Sequence, residues 1–253
     1  MICQSIKTCA SEVFHWISRQ NEVGEESITD WGLYRASQLD GRIQYLQFNR
    51  HQEGKFTGAD FELWILTDTI YFKARVQAKR LRARKDLYPG IAHSNKYGLQ
   101  IDKLIKDASR GGFRPLYAFY NNENHTSQCR KNVINEGIYL ADANIIHNDI
   151  FSVPKRAIDS AHLISKSTPF SCWFCCSLYE SSSHETFLDF LNLYYPAQNG
   201  DNTSGITNEF PNYISSLLGL KTQSEAKLDY DFQKEFRILN NVDGILLIDN
   251  RKQ

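Results

Sequence analysis

The sequence predicts an α/β fold, a mixed sheet with a helix on each face. Two observations predict it. From Gly58 to Lys79, polar and apolar side chains alternate with the period of two that marks strands, broken once by a short turn. On either side lie stretches with the three-and-four apolar spacing of helices. The second of these is followed by Pro115–Tyr120, a short apolar and aromatic run that suits the middle of a sheet. At 253 residues the chain can bury one substantial core.

The elements follow in order. Residues 5–20 carry Ile6, Cys9, Val13, Phe14 and Ile17 at helical spacing. Gly24 interrupts, and a second helix runs from about Glu25 to Gln38 with Ile28, Trp31, Leu33 and Tyr34 inward. Two acids in its first turn suit the helix dipole. Asp40-Gly41 is a turn signal, and Arg42 to Phe48 reads as a strand partly buried on both faces. A polar loop, 49–57, leads to the two strands of the alternating region. Tyr88-Pro89-Gly90 breaks the chain. A helix is expected from Lys96 to Ser109, with Leu99, Leu104, Ile105 and Ala108 inward and Gly111-Gly112 ending it. The predicted core is therefore helix, three antiparallel strands, helix and strand.

Beyond Asn121 the pattern weakens. Residues 138–146 suit a strand or a short helix, and 154–165, 183–194 and 209–220 read as helical. Asn199 to Thr207 reads as a polar loop, and Gly244 to Asp249 as a final strand. A composition shift near 125–135 divides the chain into a core, 1–125, and a mostly helical C-terminal elaboration, 126–253. The second half is expected to pack on the first as one compact domain.

Composition narrows the function classes. Formal net charge is zero and charged residues are 23% of the chain, so it is neither a disordered polyelectrolyte nor a uniformly basic coat for nucleic acid. Local charge is different. Seven of the 29 Lys and Arg fall between Lys73 and Lys85 with no acid among them. No run is long and apolar enough to span a bilayer. No secretory signal is readable, and six cysteines are too few for a disulfide scaffold, so a reducing cytoplasm is expected. Cys172-Trp173-Phe174-Cys175-Cys176 has no second pair at zinc spacing, and buried free thiols are expected there. No phosphate-binding glycine loop and no Ser-His-Asp or Cys-His spacing is present.

One constellation carries chemistry. On the second strand Phe72, Ala74, Val76 and Ala78 share an apolar face, and Lys73, Arg75, Gln77 and Lys79 a polar one. On the first, Asp60, Glu62 and Trp64 share a face. A hairpin would put Asp60 and Glu62 on the side of Gln77 and Lys79. Hydrolysing a phosphodiester requires charge neutralisation at the phosphate and a nucleophile made from water, and a divalent ion does both. Mg²⁺ takes hard oxygen ligands and keeps several waters. The Asp60 carboxylate, the Gln77 amide oxygen and the Ala78 carbonyl are candidate ligands. Lys79 stands ready to hold the water or stabilise developing charge. A solvated hairpin would also alternate in this way, and a basic run is also what a solvated face shows.

Gly58-Ala59-Asp60 followed by Gln77-Ala78-Lys79, a helix and an apolar strand resembles the restriction-endonuclease-like superfamily, the PD-(D/E)xK nucleases. It is most similar to the Mrr-like branch, in which Gln replaces the second acid. The resemblance covers about residues 25–121. With Glu25-Glu26-Ser27-Ile28-Thr29 and Pro115-Leu116-Tyr117 before Tyr120-Asn121, the whole chain also resembles a bacterial group of this superfamily associated with defence against foreign DNA. The resemblance implies a restriction-endonuclease-like core and a Mg²⁺-dependent deoxyribonuclease, with Mn²⁺ able to substitute. It implies Asp60 as metal ligand, Gln77 as ligand or water-positioning group, and Lys79 as catalytic lysine. Many members add a first-helix glutamate, for which Glu26 is the choice and Glu25 the rival. No Pro precedes Asp60, and Gln77 brings no charge, a loss that Glu26, Glu53 or Glu62 would have to make up.

Lys73, Arg75, Arg80, Arg82 and Arg84 would then grip flanking phosphates, with Gln100 holding the substrate backbone or standing at the surface. The partner expected is DNA, with RNA as the rival substrate. A cut through both strands would call for a homodimer, and a partner defence protein is a further expectation. The alternative is a nuclease-like module that has lost catalysis and binds nucleic acid or a partner.

Overall fold

The structure, a computed structural model, describes residues 1–47, 57–82, 88, 91, 94–95, 98–129, 133–151, 159–175, 185–196, 205–219 and 242–251. Arg84, Lys85, Glu53, Tyr97 and Cys176 lie outside the described residues. Two helices come first, α1 (Ile2–Arg19) and α2 (Glu25–Leu39). Strands β1 (Ile43–Gln47), β2 (Phe61–Leu66) and β3 (Tyr71–Arg80) follow. A small hairpin, β4 (Ser94–Asn95) and β5 (Gly98–Leu99), runs into α3 (Gln100–Gly111) and then β6 (Arg114–Tyr120). The second half supplies β7 (Ile138–Asp142), α4 (Ala143–Phe151), α5 (Ser160–Ser165), β8 (Thr168–Pro169) and α6 (Cys172–Cys175). It ends with α7 (Glu185–Tyr194), β9 (Ile206–Thr207), α8 (Asn212–Gly219) and β10 (Gly244–Asp249).

The fold is α/β, with one mixed open sheet flanked by helices. Strand order is β1-β10-β2-β3-β6-β7-β8, with β9 beside the start of β3. The alternation along β2 and β3 feeds two cores. Phe61, Leu63, Ile65, Phe72, Ala74, Val76 and Ala78 point toward α1, α2, α6 and α7. Trp64, Leu66, Tyr117 and Phe119 point toward α3, α4, α5 and α8. Helices cover both faces, so even the polar side of the β2–β3 hairpin lies inside, and every residue of β2 is buried.

Four expectations change. The first three strands are not a consecutive antiparallel set. β10 lies between β1 and β2, antiparallel to the first and parallel to the second. Its Gly-Ile-Leu-Leu-Ile run is apolar toward both faces, which is what a central strand needs. The third helix begins at Gln100 rather than Lys96, because β5 leads directly into it. Residues 138–146 are not one element: the strand ends at Asp142 and a helix starts at Ala143. Last, Cys175 is not a free thiol but is bonded to Cys3, tying α6 to the start of α1. Cys9, Cys129 and Cys172 are buried and outside any disulfide, and the Cys172 thiol donates to Cys129 Sγ at 2.7 Å.

A buried ion pair joins β6 to β7. Arg114 Nε donates to Asp142 Oδ2 at 2.6 Å, and its terminal nitrogen donates to the Pro196 carbonyl at 3.0 Å. No helix among the described residues is long and apolar enough to cross a membrane.

Candidate functional site

Asp60 stands at the entrance to β2, where three strands end together. Its N–H donates to the Val76 carbonyl at 2.8 Å, and its carbonyl accepts from the Asp243 N–H at 2.9 Å. The β2–β3 register, Phe61 opposite Val76, puts Asp60 opposite Gln77. Gln77 Nε2 and the Ala78 N–H both donate to Asp60 Oδ2, each at 2.6 Å. Gln77 Nε2 also reaches the Ala78 carbonyl at 3.2 Å, and Gln77 Oε1 accepts from Gln100 Nε2 at 2.5 Å. Gln100, the first residue of α3, thus anchors Gln77, which anchors Asp60.

Gly58 makes this approach possible. Its φ of +68° is unfavourable for a side chain, and a Cβ there would stand 2.6 Å from the Gln100 carbonyl oxygen. The Gly in Gly58-Ala59-Asp60 is therefore what lets the loop before the acid lie against the first turn of α3.

The structure brings Asp60, Gln77, Lys79, Gln100 and Glu26 to one cavity of about 180 Å³. The arrangement alters two roles. Gln77 turns its N–H, not its carbonyl oxygen, toward Asp60. Acting as a metal ligand would mean turning the amide over against three hydrogen bonds, so as placed it orients the carboxylate. The Ala78 carbonyl is likewise already accepting from Gln77. At the helix, Glu25 rather than Glu26 touches the lysine: Lys79 Nζ lies 3.2 Å from Glu25 Oε1, and the Arg80 N–H donates to Glu25 Oε2 at 2.8 Å. Glu26 is the more exposed of the two.

Four further polar residues of the wall were not anticipated: Thr29, Asp30, Tyr45 and Asp243. Asp30 lies one turn after Glu26 on α2 and accepts from the Tyr45 hydroxyl at 3.2 Å. The four-residue spacing of Glu26 and Asp30 was a readable signal. Nothing local marks Asp243, which is brought in from a distant part of the sequence by β10, immediately after it. Among the described residues, no three Asp, Glu, His or Cys side chains already stand around one point as a metal shell.

The basic run is mostly turned inward. Arg75 is 5% exposed and ion-paired with Glu62, which also accepts from Trp64 Nε1 and the Tyr213 hydroxyl, each at 2.9 Å. Burial pushes the Asp107 carboxyl, on the other side of Arg75, above its usual range. Lys73 donates to the Gly111 carbonyl at 3.0 Å and lies over the Phe113 ring, and burial lowers its pKa. The Arg80 guanidinium donates to the Asn21 carbonyl, and burial lowers its pKa too. Lys73 and Arg75 are thus structural cations that hold the hairpin to α3. Of Lys73, Arg75, Arg80 and Arg82, only Arg82 is an exposed side chain. Glu62 is equally spent in this network and does not line the cavity.

Comparison with curated proteins and with solved structures returns no match. A family model described as "Family of unknown function (DUF6615)" matches residues 2–251, and the chain belongs to that family.

Proposed function

We propose that the chain is a divalent-cation-dependent phosphodiesterase on a restriction-endonuclease-like core, cutting DNA in the cytoplasm as an effector of defence against foreign DNA. The observation that carries the reading is the hydrogen-bonded line Gln100–Gln77–Asp60 with Lys79 on the same cavity wall. The donor set fits a hard cation: carboxylates line the cavity, with no sulfur or imidazole among the described residues of its wall. Mg²⁺ is commonly held by one or two carboxylates and water, so a full protein shell is not required. Asp60 and Glu26 would hold it, and a bound cation would neutralise phosphate charge and lower the pKa of water.

The protein's own groups do the rest. Gln77 and the Ala78 N–H fix Asp60 in one rotamer, so no reorganisation is needed when substrate arrives. Lys79, 6% exposed, places a positive charge at the wall where a phosphate would develop negative charge. Glu25 holds that ammonium in place. With most of the basic run turned inward, Arg82, the exposed described cation of that run, and the half-buried Arg80 are left to meet flanking phosphates. Binding through so few contacts should show a shallow salt dependence.

The test is cleavage of supercoiled plasmid by purified protein in Mg²⁺ or Mn²⁺, beside Lys79→Ala and a labelled RNA. Nicking lost in the variant and in EDTA supports the reading. Equal nicking by both proteins would move the active site elsewhere. Cleavage of RNA alone would replace DNA as substrate. Conversion to a linear product in one encounter would point to a homodimer.

A further inference from the structure

We infer that Asp243 is a second carboxylate ligand for the divalent cation, paired with Asp60. The inference rests on the phosphodiesterase reading but is tested separately from it. In the parallel pairing of β10 with β2, Gly244 stands beside Phe61, so Asp243 stands beside Asp60. The Asp243 N–H donating to the Asp60 carbonyl extends that pairing one step beyond the strand ends. Neighbours in register on adjacent strands direct their side chains to the same face. Both line the cavity.

The Asp243 side chain is 9% exposed, and its Oδ2 has no hydrogen-bond partner. A buried carboxylate oxygen without a partner is costly, and such groups persist where function requires them. The cavity's charges point to what would complete it. Its wall carries five carboxylates, Glu25, Glu26, Asp30, Asp60 and Asp243, against one ammonium, Lys79, which is already paired with Glu25. Two hard oxygen donors side by side in excess negative charge suit a small divalent cation. The position is also built for close quarters: a Cβ on Gly244 would stand 2.9 Å from the Leu46 carbonyl oxygen and 3.0 Å from the Tyr45 ring, so β1 and that ring pack closely against the strand beside Asp243. Gln77 brings no charge to the site, and Asp243 supplies the negative charge that Gln77 lacks.

The experiment is Mn²⁺ binding to metal-free full-length protein, by calorimetry and by loss of the free-ion paramagnetic resonance signal. Wild type is compared with Asp243→Asn and Asp60→Asn. Asp243→Asn should weaken Mn²⁺ at least tenfold, and Mn²⁺ should raise the Tm of wild type but not of the variant. In EDTA the variant should melt at or above the wild-type temperature, because it removes an unpartnered charge. Unchanged Mn²⁺ affinity in Asp243→Asn with loss in Asp60→Asn would overturn the inference and leave the phosphodiesterase reading standing. No Mn²⁺ binding by wild type at millimolar concentration would also overturn it. Binding through both acids without cleavage of plasmid or RNA would uphold it and sink the phosphodiesterase reading. Should the variant fail to fold, Fe²⁺ with ascorbate on wild type decides. Oxidative backbone cuts near both residues 60 and 243 support the inference, and cuts elsewhere only would overturn it.

Discussion

Replacing Glu136 by Gln should flatten the pH dependence of stability. Glu136 sits just before β7 and is 2% exposed. Its Oε2 accepts from the Ser171 hydroxyl at 2.6 Å, while Oε1 has no hydrogen-bond partner. Burial raises its pKa from 4.5 to about 8, against the opposing pull of the Ser171 hydroxyl and the amides of Ser171, Ile138 and Phe170. In the unfolded chain the group ionises near 4.5, and in the folded chain it keeps its proton to about 8. The folded state therefore binds more protons between these values, and stability falls as pH rises through that window. The slope is about 1.4 kcal/mol per pH unit for one group, with a ceiling on the order of 5 kcal/mol across the window. Below pH 4.5 the loss is absent, and above 8 it levels off. Gln keeps an acceptor for Ser171 and cannot ionise. Urea unfolding of both proteins at pH 5, 6, 7 and 8 should show the wild type losing ground to Glu136→Gln by several kcal/mol. A difference that stays constant with pH would refute the reasoning, since Glu136 would then not titrate in that window.

Three further outcomes are expected. Gly58→Ala should cost about 1–3 kcal/mol through its positive φ and the clash with the Gln100 carbonyl. It should also lower cleavage more than it lowers DNA binding, because it shifts the residue that anchors Gln77. Cys175→Ser, or reductant, should lower Tm. The cross-link spans 172 residues, worth about 5 kcal/mol in the chain-entropy limit and about 2–5 kcal/mol for native disulfides generally. A bond of this kind is unusual in a reducing cytoplasm, so a Tm indifferent to dithiothreitol would show that the two thiols do not pair there. Arg114→Ala should cost about 3–5 kcal/mol in denaturant unfolding, because it strands the buried Asp142 carboxylate.

The sequence was most readable where periodicity is local. Ile6, Val13 and Ile17 mark the buried stripe of α1, and Leu104 and Ala108 that of α3. The alternation from Asp60 to Lys79 fixed the hairpin and, through it, the facing of Asp60 and Gln77. The same register sets Glu62 against Arg75. That cross-strand acid–base pair was legible as an internal contact, yet Arg75 was read as a phosphate-gripping cation and Glu62 as an acid that could complete the metal site. Alternation shows which side chains share a face but not whether a helix covers that face, and here α3 does. Long-range pairing was beyond reach. Neither the Cys3–Cys175 bond nor the insertion of β10 leaves a trace in spacing, because both join segments far apart in the chain. Asp243 was missed for that reason, and the direction of the Gln77 amide because it depends on Gln100, on a separate element.

The place of β10 also governs when the sheet closes during synthesis. β1 and β2 emerge early, but the strand that joins them is made only after some 240 residues. Until then β1 lacks its partner strand and the paired sheet stops at β2, and joining them means closing a long loop, a slow step with a high entropic cost. A nascent or prematurely terminated chain would display Gln77 and Lys79 without Asp243 and without the strand that holds Asp60 on its second side. On the proposed reading, the cell would be spared a half-made nuclease beside its own DNA, because the cutting centre assembles only after β10 has left the ribosome.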